Sequence, residues 1–193
     1  MMELSQCDED SFYITVDENE RPCRLWRHRL GSDVDSDELI IEEKDETFTL
    51  YVTKSQSGKF IIVHSDSKTT SEIRLIDADA PLSSAQLVDA RRDGIKYDVK
   101  HWGDDLLILT NEGAVNFQLL SCPLDDFHSR VNVVAYNEDL YLQALYPFRG
   151  VLLVAGRENG FTQLWKLKGG ELEQIKWNEA LYTVSVLSNQ SYE

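Results

Sequence analysis

Basic side chains are concentrated in one short stretch near the start of an otherwise acidic chain. The stretch 17–31, DENERPCRLWRHRLG, places four arginines and a histidine around one tryptophan: Arg21, Arg24, Arg27, Arg29, His28 and Trp26. Guanidinium groups beside an aromatic ring form a pattern that binds phosphates and nucleic acids. The other interpretation is that the stretch is one strand of a repeat, with its arginines paired to carboxylates.

The other residues that could do chemistry form no compact catalytic or metal-binding motif. The sequence contains no GxSxG elbow, no HExxH, no CxxC pair, no P-loop and no GxGxxG. The histidines lack a paired acid and nucleophile, so each is expected to be a surface or packing residue: His28, His64, His101 and His128. We therefore predict no catalytic residue, no metal site and no cofactor in this chain.

The charge balance argues against a polyanionic partner. The 193 residues include 19 lysines and arginines against 34 aspartates and glutamates, which gives a formal net charge of -15. Such a field repels nucleic acid and concentrates cationic ligands, but an acidic surface also serves solubility alone. We expect no nucleic-acid partner, and both explanations of the acidity stay open.

Cysteine usage and hydropathy indicate a cytoplasmic protein without a membrane partner. Cys7, Cys23 and Cys122 are widely spaced, which favours neither a disulfide framework nor a zinc ribbon. The N-terminal residues MMELSQCDEDSF have neither a basic nor an apolar leader region, and no run of about eighteen apolar residues occurs.

Alternation of apolar and polar residues with a period of two dominates the chain and predicts an all-β, antiparallel fold. Turn signals such as KSQSGK, RRDG, TNEG and RENG separate the predicted strands. The clearest strands are SFYITV, TFTLYVTK, KFIIVHS, IKYDVKH, DLLILTN, NFQLLS, RVNVVAY and GVLLVAGR.

The spacing of these strands predicts a partial β-propeller of about four four-stranded blades. Strands that follow tight turns recur at intervals of roughly 45 to 48 residues, and the next strands keep nearly the same interval. The first set is centred on Phe12, Phe60, Leu106 and Val151, and the second on Leu25, Ile73, Phe117 and Leu164. A β-sandwich does not usually repeat its spacing through four units.

The predicted inner strands are TFTLYVT, IKYDVKH and YLQALYP, and the predicted outer strands are ELIIEE, SAQLVD, VNVVAY and ELEQIKW. The expected blades are 1–46, 47–93, 94–140 and 141–178, within a single propeller domain fragment. Residues 179–193 look like the start of a further blade, so we expect a piece of a longer chain. Its open blade edges predict self-association.

The repeat also assigns the arginine-rich stretch to a strand. RPCRLWRHRL occupies the same position as SEIRLID, NFQLLSCP and TQLWKLKG in the other blades. Alternation then places Cys23 and Leu25 away from the guanidinium groups, which can pair with carboxylates. We favour this structural interpretation over an anion site.

Several longer segments resemble oligopeptidase B, a branch of the prolyl oligopeptidase family of serine peptidases. They are YITVDENERPCRLWRHRLG, EEKDETFTLYVTKSQSGKFIIVHSDSKTTSEIRLIDAD, YDVKHWGDDLLILTNEGAVNFQLL and AGRENGFTQLWKL. The resemblance implies part of a non-catalytic seven-bladed propeller, which covers an α/β-hydrolase domain and filters substrates by size. It also implies a parent enzyme that cleaves short peptides after Arg or Lys, with this chain inactive alone.

Two functions follow as expectations. One is substrate gating for a hydrolase domain joined in cis, with short basic peptides as partners. The other is a free-standing partial propeller that acts as a protein-binding scaffold.

A central channel would be lined by polar residues on one side of the predicted inner strands. The candidates are Thr49, Tyr51, Lys96 and Asp98. The acidic run 42–46 is expected to be a solvated loop, and the hydroxyl-rich run 68–72 a turn.

Overall fold

The chain forms short antiparallel β-strands joined by tight turns. A computed structural model describes residues 4–7, 9–179, 183–186 and 192. The chain divides into two compact units, Met1–Ile95 and Lys96–Glu193. Each unit contains, in its described residues, two four-stranded sheets in which consecutive strands are neighbours.

The first unit contains two successive sheets, each with its strands in the order of the chain. The strands of the first sheet are β1 (Leu4–Cys7), β2 (Asp10–Val16), β3 (Pro22–Arg29) and β4 (Glu38–Glu42). A short 3-10 helix, Val34–Ser36, connects β3 to β4. The strands of the second sheet are β5 (Thr49–Lys54), β6 (Phe60–Asp66), β7 (Ser71–Asp77) and β8 (Gln86–Asp89).

The second unit repeats this arrangement. The strands of its first sheet are β9 (Tyr97–Trp102), β10 (Asp105–Thr110), β11 (Gln118–Pro123) and β12 (Val131–Val134). The strands of its other sheet are β13 (Leu140–Phe148), β14 (Val151–Glu158), β15 (Phe161–Lys168) and β16 (Glu171–Gln174).

Each unit has an apolar core between its two sheets, because alternate side chains of every strand point to the same face. In the first unit, Phe12, Ile14 and Leu25 of one sheet pack in a cluster with Leu50 and Val52 of the other. In the second unit, a leucine-rich cluster contains side chains of β10 and β11 together with side chains of β13, β14 and β15. The middle strands β6 and β10 are buried on both faces, which explains their nearly continuous apolar sequences.

The structure confirms the all-β class and forms strands over the segments predicted as inner and outer, which lie at the two ends of each sheet's strand order. Local differences remain, and three of them concern residues named above. β1 was not predicted, because its four residues LSQC carry no strong β signal. Lys96, expected on an inner strand, lies just before β9. Phe117 lies in the turn before β11 with a backbone φ of +65°, because its amide donates to Ala114 O at 2.7 Å.

The blade limits and the single-domain organisation stay predictions. Most of the segment 179–193, expected to begin a further blade, lies outside the described residues.

One glycine is required where two strands approach closely. A Cβ atom at Gly156 on β14 would lie 2.2 Å from the backbone oxygen of Tyr141 on β13. The register of these strands shifts between Leu142 and Ala144, opposite this glycine. The missing side chain therefore lets the irregular strand β13 lie against β14.

Candidate functional site

The arginine-rich stretch forms β3, as the repeat predicts, and its charges are compensated within the first unit. Arg24 Nε lies 2.9 Å from Glu42 Oε1 on β4, and Arg27 pairs with Glu38 on the same strand. Leu25, between the two arginines, is fully buried in the core. The strand interpretation is confirmed, and these guanidinium groups bind carboxylates of their own sheet.

Residues 43–48, the 43–48 connection, link the two sheets of the first unit. Arg21 binds the β2–β3 turn to this connection. Its Nε lies 2.9 Å from Asp17 Oδ2. Its terminal nitrogens donate to three backbone carbonyl oxygens of the connection, at 3.3, 3.2 and 2.9 Å: those of Glu43, Asp45 and Phe48. One side chain thus satisfies several carbonyl groups of a loop.

Arg91, which follows β8, holds the same connection from the second sheet. Its Nη2 lies 2.5 Å from Glu43 Oε2 and 3.3 Å from Glu72 Oε1 on β7. Its guanidinium carbon lies 3.9 Å from the centre of the Phe48 ring. Ser65 Oγ donates to Glu43 Oε2 at 2.5 Å. Both carboxylates are buried, with residue exposures of 8 % and 7 %, so they depend on these partners.

The electrostatics of this cluster favour its charged forms. Burial by itself raises the pKa of Glu43, but hydrogen bonds from Arg91 and Ser65 outweigh it and lower the pKa. Burial likewise opposes ionisation of Glu72, yet the bonds from Arg91 and the charge of Arg74 lower its pKa. Burial by itself lowers the pKa of Arg91, but its bonds to the carboxylates of Glu43 and Glu72 outweigh burial and raise the pKa. The cluster is therefore ionised at neutral pH.

A cavity of about 440 Å³ opens beside this cluster. Its lining comes from three connections of the first unit: the 43–48 connection, residues 67–70 between β6 and β7, and residues 91–93 after β8. Asp45 and Asp93 supply carboxylates, and Phe48 supplies an aromatic ring. This volume falls within the usual range for sites that bind small groups.

The acidic run and the hydroxyl-rich turn therefore meet at one cavity, which their sequence positions do not predict. The expected turn is confirmed as far as Thr70, because Ser67 N donates to Thr70 O at 2.9 Å and Thr70 N donates to Ser67 Oγ at 3.0 Å. Ser71 and Glu72, the last two residues of the predicted turn, already belong to β7. The acidic run is a solvated loop only in part, since Glu43 within it is buried against Arg91.

His28 takes part in a second polar cluster. Its Nδ1 lies 2.7 Å from Asp37 Oδ1, and Tyr13 Oη donates to Asp37 Oδ2 at 2.6 Å. Burial and the Asp37 carboxylate raise the pKa of Tyr13 to about 12, and the bonds from Tyr13 and His28 lower the pKa of Asp37. Asp37 thereby fastens the 3-10 helix to β2 and β3.

The other histidines occupy different environments. His64 is buried and stacks on Tyr51, with ring centres 4.2 Å apart. His101 is buried on β9, and His128 is exposed. The expectation of packing and surface roles therefore agrees with their positions.

The predicted channel residues lie in both units. Thr49 and Tyr51 share one side of β5, where Thr49 is exposed and Tyr51 Oη donates to Asp66 Oδ2 at 2.9 Å. Asp98 on β9 lies 2.8 Å from Lys100 Nζ, and Lys96 precedes that strand. Their joint role in lining a channel stays a prediction.

The cluster of Arg91, Glu43 and Glu72 is not predicted by the sequence patterns described above. These residues are 48 and 19 positions apart, so no local spacing connects them. The usable signal is Glu72 itself, a carboxylate inside the apolar strand segment SEIRLID, which implies a buried partner.

The described residues offer neither a metal centre nor a membrane-spanning helix. Among residues 4–7, 9–179, 183–186 and 192, no group of three or more His, Cys, Asp or Glu side chains could hold a metal ion. Within that same part of the chain, no helix is long and apolar enough to cross a membrane.

Comparisons with known proteins agree with the architecture. The family model described as the N-terminal β-propeller domain of prolyl oligopeptidase matches residues 6–193. Protease 2 of Moraxella lacunata is 70 % identical over 192 residues, which cover 100 % of this chain and 28 % of that protein. Dipeptidyl aminopeptidase BI of Pseudoxanthomonas mexicana is 31 % identical, over 92 % of this chain and 25 % of its own length.

A solved structure gives the same result. Oligopeptidase B from Leishmania major superposes with a TM-score of 0.87 at 30 % identity, over 94 % of this chain and 28 % of that structure. The chain thus spans roughly a quarter of the length of these proteins.

Proposed function

Because the chain belongs to the prolyl oligopeptidase family, as part of its N-terminal β-propeller domain, we propose that it is a non-catalytic propeller segment of an oligopeptidase B-like serine peptidase. The observation that carries this proposal is the 70 % identity to Protease 2 of Moraxella lacunata along the whole chain. In this function, the chemistry belongs to an α/β-hydrolase domain joined in cis, and the propeller limits access to it.

The proposed substrates of the parent enzyme are short peptides cleaved after Arg or Lys. The net charge of -15 supports this choice, because an acidic propeller attracts cationic peptides and increases their rate of encounter. The proposed gating depends on size, so peptides reach the hydrolase domain while folded proteins do not.

We place this function in the cytoplasm. Support comes from Cys23 and Cys122, which are free thiols buried in the sheets. Buried free thiols suit a reducing compartment.

The test uses the complete gene product that contains these residues. Fluorogenic peptides that end in Arg or Lys before the reporter group are compared with matched peptides that end in Glu or Leu. A second series places one Arg cleavage site in peptides of increasing length and in a folded protein.

We expect hydrolysis of the Arg and Lys peptides, little hydrolysis of the others, and protection of the folded protein. The 193-residue chain alone is expected to be inactive. A complete gene product without peptidase activity would contradict the proposal and favour the binding-scaffold function, for which the exposed Leu82 and Val115 offer apolar contact surface.

A further inference from the structure

A different cavity of the first unit, the Asp10 pocket, has a volume of about 440 Å³. Its walls come from the beginning of β2, the end of β3 and the connection between β7 and β8. The lining residues are Glu9, Asp10, Arg29, Asp79, Ala80, Pro81 and Leu82. The volume suits a small organic molecule better than a single ion.

The carboxylate of Asp10 lacks the hydrogen bonds that a buried carboxylate normally accepts. Asp10 is only 9 % exposed, and no residue in the described ranges donates a hydrogen bond to its side chain. Its one ion pair there is with Arg27, whose Nε lies 3.9 Å away, beyond hydrogen-bond distance. Burial of a charge without donors costs free energy, so the missing donor points to a ligand in the pocket.

The two arginines beside the pocket are bound to other acceptors. Arg27 Nη1 donates to Pro81 O at 2.7 Å, and Arg27 Nη2 pairs with Glu38. Arg29 Nη2 lies 3.2 Å from Glu9 Oε2. Neither guanidinium group therefore supplies the hydrogen bond that Asp10 lacks.

The lining keeps an excess of negative charge after its own pairs are counted. Glu9 and Arg29 neutralise each other, which leaves the carboxylates of Asp10 and Asp79. Asp79 is exposed, and its carboxylate forms no ion pair with any residue that the structure describes. The pocket therefore offers two carboxylates to a ligand that carries positive charge.

The rest of the lining favours an organic cation over a metal ion. In the described part of the chain, no group of three or more His, Cys, Asp or Glu side chains could hold a metal ion. Ala80, Pro81 and Leu82 make the remaining lining apolar, and Leu82 is 75 % exposed. Methylene groups can cover these side chains while ammonium groups bind the carboxylates.

We propose that the Asp10 pocket binds a free aliphatic diamine, with one ammonium group on Asp10 and the other on Asp79. The first ammonium group donates the hydrogen bonds that Asp10 lacks, and the methylene chain lies against Leu82. A monoamine satisfies only one of the two carboxylates, so it should bind more weakly. The inference does not depend on the proposed peptidase function, because the whole lining of the pocket belongs to this chain.

Isothermal titration calorimetry of the complete gene product with putrescine, a four-carbon diamine, tests the proposal in moderate salt. The variant D79N removes the exposed carboxylate of the pocket, and D10N removes the buried one. The control D104N removes one charge from the exposed turn between β9 and β10. Diamine sites elsewhere in the protein are common to all variants, so differences from the unmodified protein isolate the pocket.

We expect one equivalent of putrescine to bind roughly five- to tenfold more weakly in D79N and to be lost in D10N, with less than about a twofold change in D104N. If the thermal unfolding midpoint shows that D10N is not folded, D79N decides alone. Equal weakening in D79N and D104N would overturn the proposal, because net charge would then explain binding. An isotherm of the unmodified protein identical to that of D79N would overturn it as well.

A series of competitors identifies the chemistry of the ligand. Butylamine has one ammonium group, and magnesium chloride supplies a double charge without methylene groups. Each should displace putrescine at least about tenfold less effectively than unlabelled putrescine displaces a labelled sample. Equal displacement by magnesium would overturn the proposal, because the pocket would then respond to charge alone.

The apolar lining and the source of the ammonium group are tested separately. The variant L82S keeps every charge of the pocket and should weaken putrescine binding roughly two- to threefold. Unchanged binding in L82S would contradict the assigned position of the methylene chain. Tighter binding of Nα-acetyl-lysine methylamide than of putrescine would overturn the proposal in favour of a lysine side chain from another protein.

Discussion

At the scale of single residues, Arg91 has the largest predicted effect on stability. Removing it in R91A leaves Glu43 buried without a guanidinium partner and leaves Glu72 with Arg74 alone, so the free energy of unfolding should fall by about 3–5 kcal/mol. Equilibrium unfolding in urea, followed by tryptophan fluorescence, measures the change. The neighbouring variant R92A is the control, because Arg92 pairs with Asp89 at the surface and should cost at most about 1 kcal/mol.

The same cluster predicts how stability depends on pH. The pKa values of Glu43 and Glu72 are lower in the folded protein than their ordinary value of 4.5. Their contribution is therefore fully present above pH 4.5 and is lost as the pH falls through the folded-state pKa values. Urea midpoints measured between pH 7 and pH 3 should show this decline in the unmodified protein.

The variant R91A should behave in the opposite way. Without the guanidinium group of Arg91, burial raises the pKa of Glu43, whereas Glu72 keeps its bond to Arg74, so protonation of Glu43 stabilises the folded state. Its urea midpoint should rise as the pH is lowered from 7 towards the ordinary pKa of a glutamate. A variant that parallels the unmodified protein across this range would contradict the assigned role of Arg91.

At the scale of secondary-structure elements, the pairing of β13 with β14 depends on Gly156. The variant G156A would place a Cβ atom against the backbone of β13, and a backbone oxygen cannot move aside as a flexible side chain can. We expect a loss of about 1–3 kcal/mol or more, seen as a lower thermal unfolding midpoint. The exposed neighbour variant R157A should change stability by no more than about 0.5 kcal/mol.

The strands themselves could be predicted well from the sequence, and the reason is physical. An inward-facing residue on a strand is followed two positions later by another, so Leu50 and Val52 indicate their shared face without any knowledge of the fold. Phe117 shows the limit of this approach: its apolar side chain packs near Tyr141, with ring centres 6.0 Å apart, but its backbone belongs to a turn.

The candidate site could not be predicted, because it is assembled from loops. Arg91, Glu43 and the 67–70 turn meet only when two sheets pack together, and hydrogen bonds between distant connections leave no periodic pattern in the sequence. Asp45 and Asp93 accordingly appeared as ordinary polar turn residues.

At the scale of the whole molecule, the exposed strand edges bear on self-association. The outer strands β4, β8 and β12 have only five, four and four residues, and their pairing with the preceding strand is irregular in each case. Short, irregular edges discourage pairing with another chain. Self-association of the 193-residue chain should therefore proceed through the apolar faces of its sheets more than through these outer edges.

Sedimentation velocity over a range of concentrations tests this expectation. The 193-residue chain alone should show concentration-dependent association, whereas a clean monomer at high concentration would contradict it. Adding a charge at an outer edge without removing an apolar side chain, as in Q86K on β8, should leave the association unchanged if the faces are responsible.

Hydrogen bonds from Arg21 and Arg91 to the 43–48 connection should protect this connection from limited proteolysis. Trypsin cleaves only where several residues around the cleavage site can adopt an extended conformation in its active site. The local structure of the substrate protein must therefore open first. The Lys44 side chain is 83 % exposed and looks like a ready target, yet the backbone on its C-terminal side is bonded to Arg21. The Lys44–Asp45 bond should therefore survive trypsin for longer than the bond after Lys176, which follows β16.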